Sequence, residues 1–138
     1  MTKQELREYY WIQKNIKQLE EKLLELETEA TRQTTHLSNV PKSENYDKDR
    51  LANIVAKIVE VKEKINKEVS KSYDTLAKIE SAIHKLPHRE QYLIRARYIE
   101  LKSWEQIAVE MNYSWQHIHR IHANALAMLD PKRKDESK

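Results

Sequence analysis

No glycine occurs anywhere in the 138 residues. Tight hairpin turns, bulges and close backbone approach to phosphate all lean on glycine, which enters the left-handed region without steric cost. A chain without it is a poor candidate for a β-rich or doubly wound α/β fold, a dinucleotide-binding loop or a P-loop. Cysteine is also absent, so disulfides, thiolate metal sites and cysteine nucleophiles are excluded. The remainder is 34% charged with three prolines. Its abundance of Lys, Glu, Leu and Ile favours long exposed helices. The expected fold is all-α.

The apolar spacing divides the chain. Over residues 3–30, Tyr9, Ile12, Ile16, Leu19, Leu23, Leu26 and Ala30 are spaced alternately by three and four. That is an a/d heptad stripe on one helix. A stripe so narrow needs a partner helix. Residues 31–47 are polar, β-branched and interrupted by Pro41, and they read as a loop. Residues 48–84 resume the spacing with Leu51, Ile54, Ile58, Val61, Ile65, Val69, Ser72, Leu76, Ile79 and Ile83. Two consecutive steps of four around Val69 form a stutter, which relaxes the supercoil locally. Asp47 or Asp49 is placed to cap this helix. The expected N-terminal architecture is a long antiparallel helical hairpin, coiled-coil-like, over residues 1–85.

At Leu86-Pro87 the pattern changes to short helices. The first spans 87–100, with Tyr92, Leu93, Ala96 and Ile99 or Tyr98 inward. Ser103-Trp-Glu-Gln106 is a capping box for the second. Ser114 starts the third and Asp130-Pro131 ends it. Residues 131–138 read as a disordered tail. A helix-turn-helix needs a small residue where its helices cross, a turn residue tolerating positive φ, an N-cap and a buried i, i+3 pair. Ala108, Asn112, Ser114 and Ile118/Ile121 supply them in that order, and Ala125 and Leu129 extend the stripe.

Charge follows the same division. Residues 1–83 carry 15 basic and 15 acidic side chains, whereas residues 84–138 carry 10 and 7, so the net +3 lies in the C-terminal part. Residues 114–129 contain no acidic side chain, so nothing there repels phosphate. With Ile118 at 0° and about 100° per residue, Gln116 and Arg120 fall at about 160° and 200°, opposite the apolar face. His117 and Asn124 fall on one flank. Gln116 can contact adenine bidentately and Arg120 guanine. His117 can donate to base or phosphate, and Asn124 fits a phosphate contact. Trp115, at the core edge, either wedges against the preceding helices or touches the backbone of DNA. Trp104 and His122 read as packing residues. Arg89, Arg95, Arg97 and Lys102 are further candidates for phosphate or protein contacts. The expected DNA-contacting set is Ser114, Trp115, Gln116, His117, Arg120, Asn124 and Lys102.

The segments Leu86–Tyr98, Ser103–Met111 and Ser114–Leu129 together resemble the region-4 helix-turn-helix of bacterial sigma factors. Arg89-Glu90 and Arg97-Tyr98 match the Arg-Glu and Arg-Tyr of that domain's first helix, and Ala125-Leu126 with Leu129 match its closing Ala-Leu-x-x-Leu. The whole layout is similar to phage and prophage late-transcription regulators of the ArpU/RinA type. The resemblance implies a domain at 86–130 that binds promoter DNA, with RNA polymerase as a possible second partner, in a bacterial or phage-infected cytoplasm. Two departures stand out. Trp115, Gln116 and His117 occupy positions where sigma domains carry Arg, Glu and Lys, so base preference does not transfer. Residues 1–83 lack anything like the sigma core-binding or promoter-melting segments.

The expected function is therefore a sequence-specific DNA-binding transcription regulator acting on double-stranded DNA. A homodimer or higher oligomer through the long helices would offset the small DNA surface that one helix-turn-helix buries. Two rivals remain: a phage packaging protein of the small-terminase kind, and a coiled-coil adaptor binding polymerase or another protein. No paired carboxylates, nucleophile motif or phosphate loop points to an enzyme, and no cofactor or metal is expected. The charged N-terminus and the lack of a long apolar run predict neither a secretory signal nor a membrane span.

Overall fold

The computed structural model describes residues 1–39 and 48–132. Among these the chain forms α1 (Lys3–Asn39), α2 (Lys48–Ile83), α3 (His88–Ile94), a π turn (Arg95–Ile99), α4 (Trp104–Met111) and α5 (Trp115–Leu129). Helices dominate and no strand occurs among the described residues, so the all-α expectation holds. The tail from 133 onward, Asp47 as a cap and the stretch 40–47 of the expected loop lie outside the described residues.

The long helices pack against each other as the heptad spacing requires. Every stripe position on α1 and α2 is buried or half-buried. Ser72, at the stutter, is buried and accepts a hydrogen bond from Gln13 Nε2 at 2.7 Å. Where two steps of four turn the seam, a polar pair replaces an apolar one. Farther along, Arg50 of α2 meets Glu29 of α1 at 3.4 Å. These contacts fit an antiparallel pair.

One boundary is corrected. Residues 31–39, expected as loop, continue α1. No glycine or proline interrupts them, and their threonines follow a helical habit. Thr28, Thr31 and Thr34 hydroxyls donate to the carbonyls of Leu24, Glu27 and Ala30 at 2.8, 2.9 and 2.8 Å. Such bonding satisfies the side chain inside a helix, so β-branching alone does not end it.

Contacts divide the molecule into two compact units. One comprises residues 14–70, the middle of the helical pair. Among the described residues there only Ile16, Ile54 and Val61 are buried, none of them completely, and Leu24, Val55 and Val59 are exposed. The other comprises residues 1–13 with 71–138. It holds both apolar clusters. The first gathers Leu6, Ile79, Ile83, Leu86, Ile94, Tyr98, Ala125, Leu126 and Leu129. The second gathers Leu93, Ala96, Ile107, Ile118 and Ile121. The start of α1 and the end of α2 thus share a core with α3, the π turn and α5.

The first short helix departs from expectation in one respect. Leu93, Ala96 and Tyr98 are buried, and so is Ile94, but Tyr92 is exposed and donates from its hydroxyl to Glu110 at 2.9 Å. The helix does not run regularly to residue 100. It widens into the π turn, closed by Glu100 N–H to Arg95 O at 2.9 Å.

Arg95 on this turn grips Glu80 of α2 with two guanidinium nitrogens, each 2.9 Å from a carboxylate oxygen. The hydrogen-bonded guanidinium holds the Glu80 carboxyl below its usual range, against the opposing effect of partial burial. Its contribution to stability is therefore present above the unfolded-state pKa and lost as pH falls through the lower folded value. The two side chains are 39% and 40% exposed, so screening keeps the pair to about 1 kcal/mol or less. Glu80→Gln is expected to lower the melting temperature at pH 7 by about 2–4 °C. The gap between the two proteins should narrow in melts taken below about pH 4. A gap unchanged down to pH 2 would show that the carboxylate charge contributes nothing.

Candidate nucleic-acid interface

The site is built on α4, its turn and α5. Ser103 caps α4: its hydroxyl accepts from Gln106 N–H at 3.2 Å while its own N–H donates to Gln106 Oε1 at 3.0 Å. This satisfies two donors left orphaned at a helix start. Asn112 closes α4 with φ 56° and ψ 41°. Asparagine is among the residues that tolerate this conformation in a chain that has no glycine to offer. Ser114 caps α5, accepting from His117 N–H at 3.1 Å. Ile118, Ile121, Ala125 and Leu129 are buried, so the opposite face of α5 is fixed outward.

On that face Gln116, Arg120 and Asn124 are all exposed. Arg120 has no ion-pair partner among the described residues. The first turn of α5 contains no acidic side chain, so its positive dipole end is not neutralised locally. His117 is half-buried with its ring 4.3 Å from that of Tyr113. Trp115 is 57% exposed and lies against His119 at 3.9 Å.

Lys102 is placed differently from the other candidates. Its ammonium lies 2.9 Å from Glu100 and 3.0 Å from Glu110, and these hydrogen bonds raise its pKa and lower that of Glu110. Its charge is balanced within the fold. Arg89 pairs with buried Glu90 at 2.9 Å, and Arg95 pairs with Glu80. Arg97 donates to the Lys102 carbonyl at 2.9 Å and lies over the Trp104 ring. These four basic residues between Ile83 and α4 are therefore engaged within the fold.

Behind the face is a run of rings absent from the sequence reading as a group. Trp104 lies 4.5 Å from His119 and 4.8 Å from His122. His122 is buried and bonded through Nε2 to the Tyr98 hydroxyl at 2.6 Å. His119 has a buried Nε2 without a hydrogen-bond partner. Trp104 and Trp115 thus clamp one histidine of α5 from two sides. Only their placement at two successive helix starts hints at this in the sequence.

Leu101 is a further local feature that residue spacing does not signal. It has φ 59°, a left-handed conformation that a branched side chain adopts at some cost.

No group of residues suited to hold a metal ion occurs among the described residues. None of the described helices is long and apolar enough to cross a membrane.

Residues 82–129 match the family model of sigma-70 region 4. The match begins in the last turn of α2 and ends with α5, covering the helix-turn-helix and the helix before it. No curated protein and no solved structure matches the chain.

Proposed function

We propose that this chain, whose C-terminal segment is a sigma region 4-like helix-turn-helix, is a sequence-specific DNA-binding transcription regulator. α5 serves as its major-groove recognition helix. The observation carrying this reading is the outward face of α5: two bidentate-capable side chains, Gln116 and Arg120, lie one turn apart, and no ion pair holds Arg120 among the described residues. A recognition helix reads bases through its first turns. Gln116 pairs with adenine and Arg120 with guanine. Ser114, Trp115, His117 and Asn124 contact the DNA backbone around them. Lys102, already balanced by two carboxylates, is a weaker phosphate contact than its charge alone indicates.

A single such unit buries little DNA, so we infer self-association through the long helices. The exposed Val55 and Val59, four residues apart on one face of α2, with Leu24 exposed on α1, support that reading. The sigma-like character and the layout favour a phage or prophage regulator that also touches RNA polymerase.

The test is selection of binding sites from random duplex DNA at near-physiological salt, with the wild type beside Gln116→Ala/Arg120→Ala. Each bidentate contact contributes about 1–3 kcal/mol of discrimination, so the double variant should lose the enriched motif. Paired half-sites in that motif would report a dimer. The same motif from both proteins would mean that another face reads the DNA. A ring-shaped oligomer would favour DNA packaging instead. No enrichment by either protein would favour the adaptor reading.

A further inference from the structure

A second surface of the C-terminal unit has a different chemistry from α5. Between the start of α1 and the π turn lies a cleft of about 500 Å³, within the span of small-molecule pockets, about 300–1,000 Å³. Three cations line it, Lys3, Arg7 and Arg97, together with four rings, Tyr10, Trp11, Tyr98 and Trp104. Among the described residues no acidic side chain lines it. Glu5 and Glu8 line instead a separate, more open depression that also takes in Arg7 and Trp11.

The cleft is shaped by the two irregular features of the fold. The π turn ends at Ile99, and Leu101, in its left-handed conformation, forms part of the cleft wall. Lys102 N–H then donates to Ala96 O at 2.9 Å and fixes the reversal. π turns and strained non-glycine residues concentrate where a fold serves a ligand. Arg97 is oriented in advance: one nitrogen donates to the Lys102 carbonyl at 2.9 Å, and the guanidinium carbon lies 4.5 Å from the centre of the Trp104 ring. Trp104 is itself set by the capped start of α4. On the opposite wall Tyr10 and Trp11 meet edge to face at 5.0 Å, and Trp11 keeps 57% of its surface exposed. Lys3 and Arg7 are exposed and make no ion pair among the described residues.

Unbalanced cations beside the exposed Trp11 indole suit a ligand that is anionic at one end and flat and aromatic at the other. A phosphate meets Arg7, Lys3 and the fixed Arg97, while a heteroaromatic base stacks on an indole, as in sites that bind nucleic-acid strands by stacking. An acidic peptide would use the cations but has no systematic use for the rings. We propose that this cleft is a nucleotide-binding site, taking a base that carries phosphate, either as a free nucleotide or as one unit of an unpaired DNA strand. It shares no side chain with the outward face of α5, so it stands or falls independently of the recognition helix.

The test is isothermal titration calorimetry on the full chain with ADP and, separately, with a six-nucleotide oligothymidylate. Wild type is compared with Arg7→Glu, Trp11→Ala and, outside the cleft, Tyr73→Ala, an aromatic that is 68% exposed. Arg7 and Trp11 are exposed, so thermal melts of those variants should match the wild type and exclude misfolding. Saturable binding of at least one probe is expected, weakened about tenfold or more by Arg7→Glu and by Trp11→Ala and unchanged by Tyr73→Ala. Binding of ADP alone identifies a free nucleotide as the source, and binding of the oligomer alone identifies a strand. No saturable binding of either probe overturns the proposal. So does binding indifferent to Arg7 and Trp11. Arg7-dependent capture of hexaglutamate with neither nucleotide bound would also overturn it, in favour of an acidic protein partner.

Discussion

Leu6→Ala is expected to destabilise the C-terminal unit by about 2–5 kcal/mol, although the residue lies some eighty positions before the helix-turn-helix it supports. Leu6 is fully buried, in one cluster with Ile79, Ile83, Ile94 and Leu126. Truncation removes the transfer free energy of the lost methyl groups and leaves a cavity among helices that are fixed by other contacts. Urea unfolding read by near-ultraviolet circular dichroism follows the packed rings of this unit. Val109→Ala is the control, because Val109 is 76% exposed and such surface changes stay within about 0.5 kcal/mol. Equal, small effects from both would mean that the start of α1 does not belong to this core.

The buried pair of Tyr98 and His122 gives the second large effect. The hydroxyl and Nε2 are 2.6 Å apart, with both residues almost wholly removed from solvent. His122→Leu would leave the hydroxyl without its partner, at a cost of about 1–3 kcal/mol. Tyr98→Phe would strand the imidazole nitrogen at a similar cost. The double variant Tyr98→Phe/His122→Leu removes both polar groups together and should be markedly less destabilised than the two single losses added. Denaturant midpoints for the four proteins close this cycle. Strict additivity would show that the bond contributes nothing beyond packing.

Periodicity carried much of this structure because a two-helix seam has one repeating requirement. Each stripe residue from Tyr9 to Ile83 could be assigned inward by counting threes and fours. The caps at Ser103 and Ser114 and the turn at Asn112 were legible for a related reason. In a chain without glycine, few residues can meet those local geometries. Leu6 escaped because its burial depends on elements far away in sequence. The π turn escaped because nothing in Arg-Ala-Arg-Tyr-Ile distinguishes five residues per turn from a regular helix. Tyr92 was assigned inward as an aromatic beside Leu93, whereas its hydroxyl prefers Glu110 at the surface. On the interface, helical geometry was enough to place Gln116, Arg120 and Asn124 outward. It could not show that Lys102, Arg89 and Arg95 are engaged by Glu110, Glu90 and Glu80. Charge counting sees cations, and only tertiary structure shows which are already neutralised.

The sparse seam of the 14–70 segment has a thermodynamic consequence. Its few buried side chains hold little apolar surface from water, while both dense clusters lie in the other unit. Cooperativity follows shared burial, so parts that share little need not open together. Stability here is therefore two quantities, a low local free energy for parting the mid-helix seam and a higher one for dissolving the C-terminal core. A single midpoint obtained from total helicity would average them and describe neither.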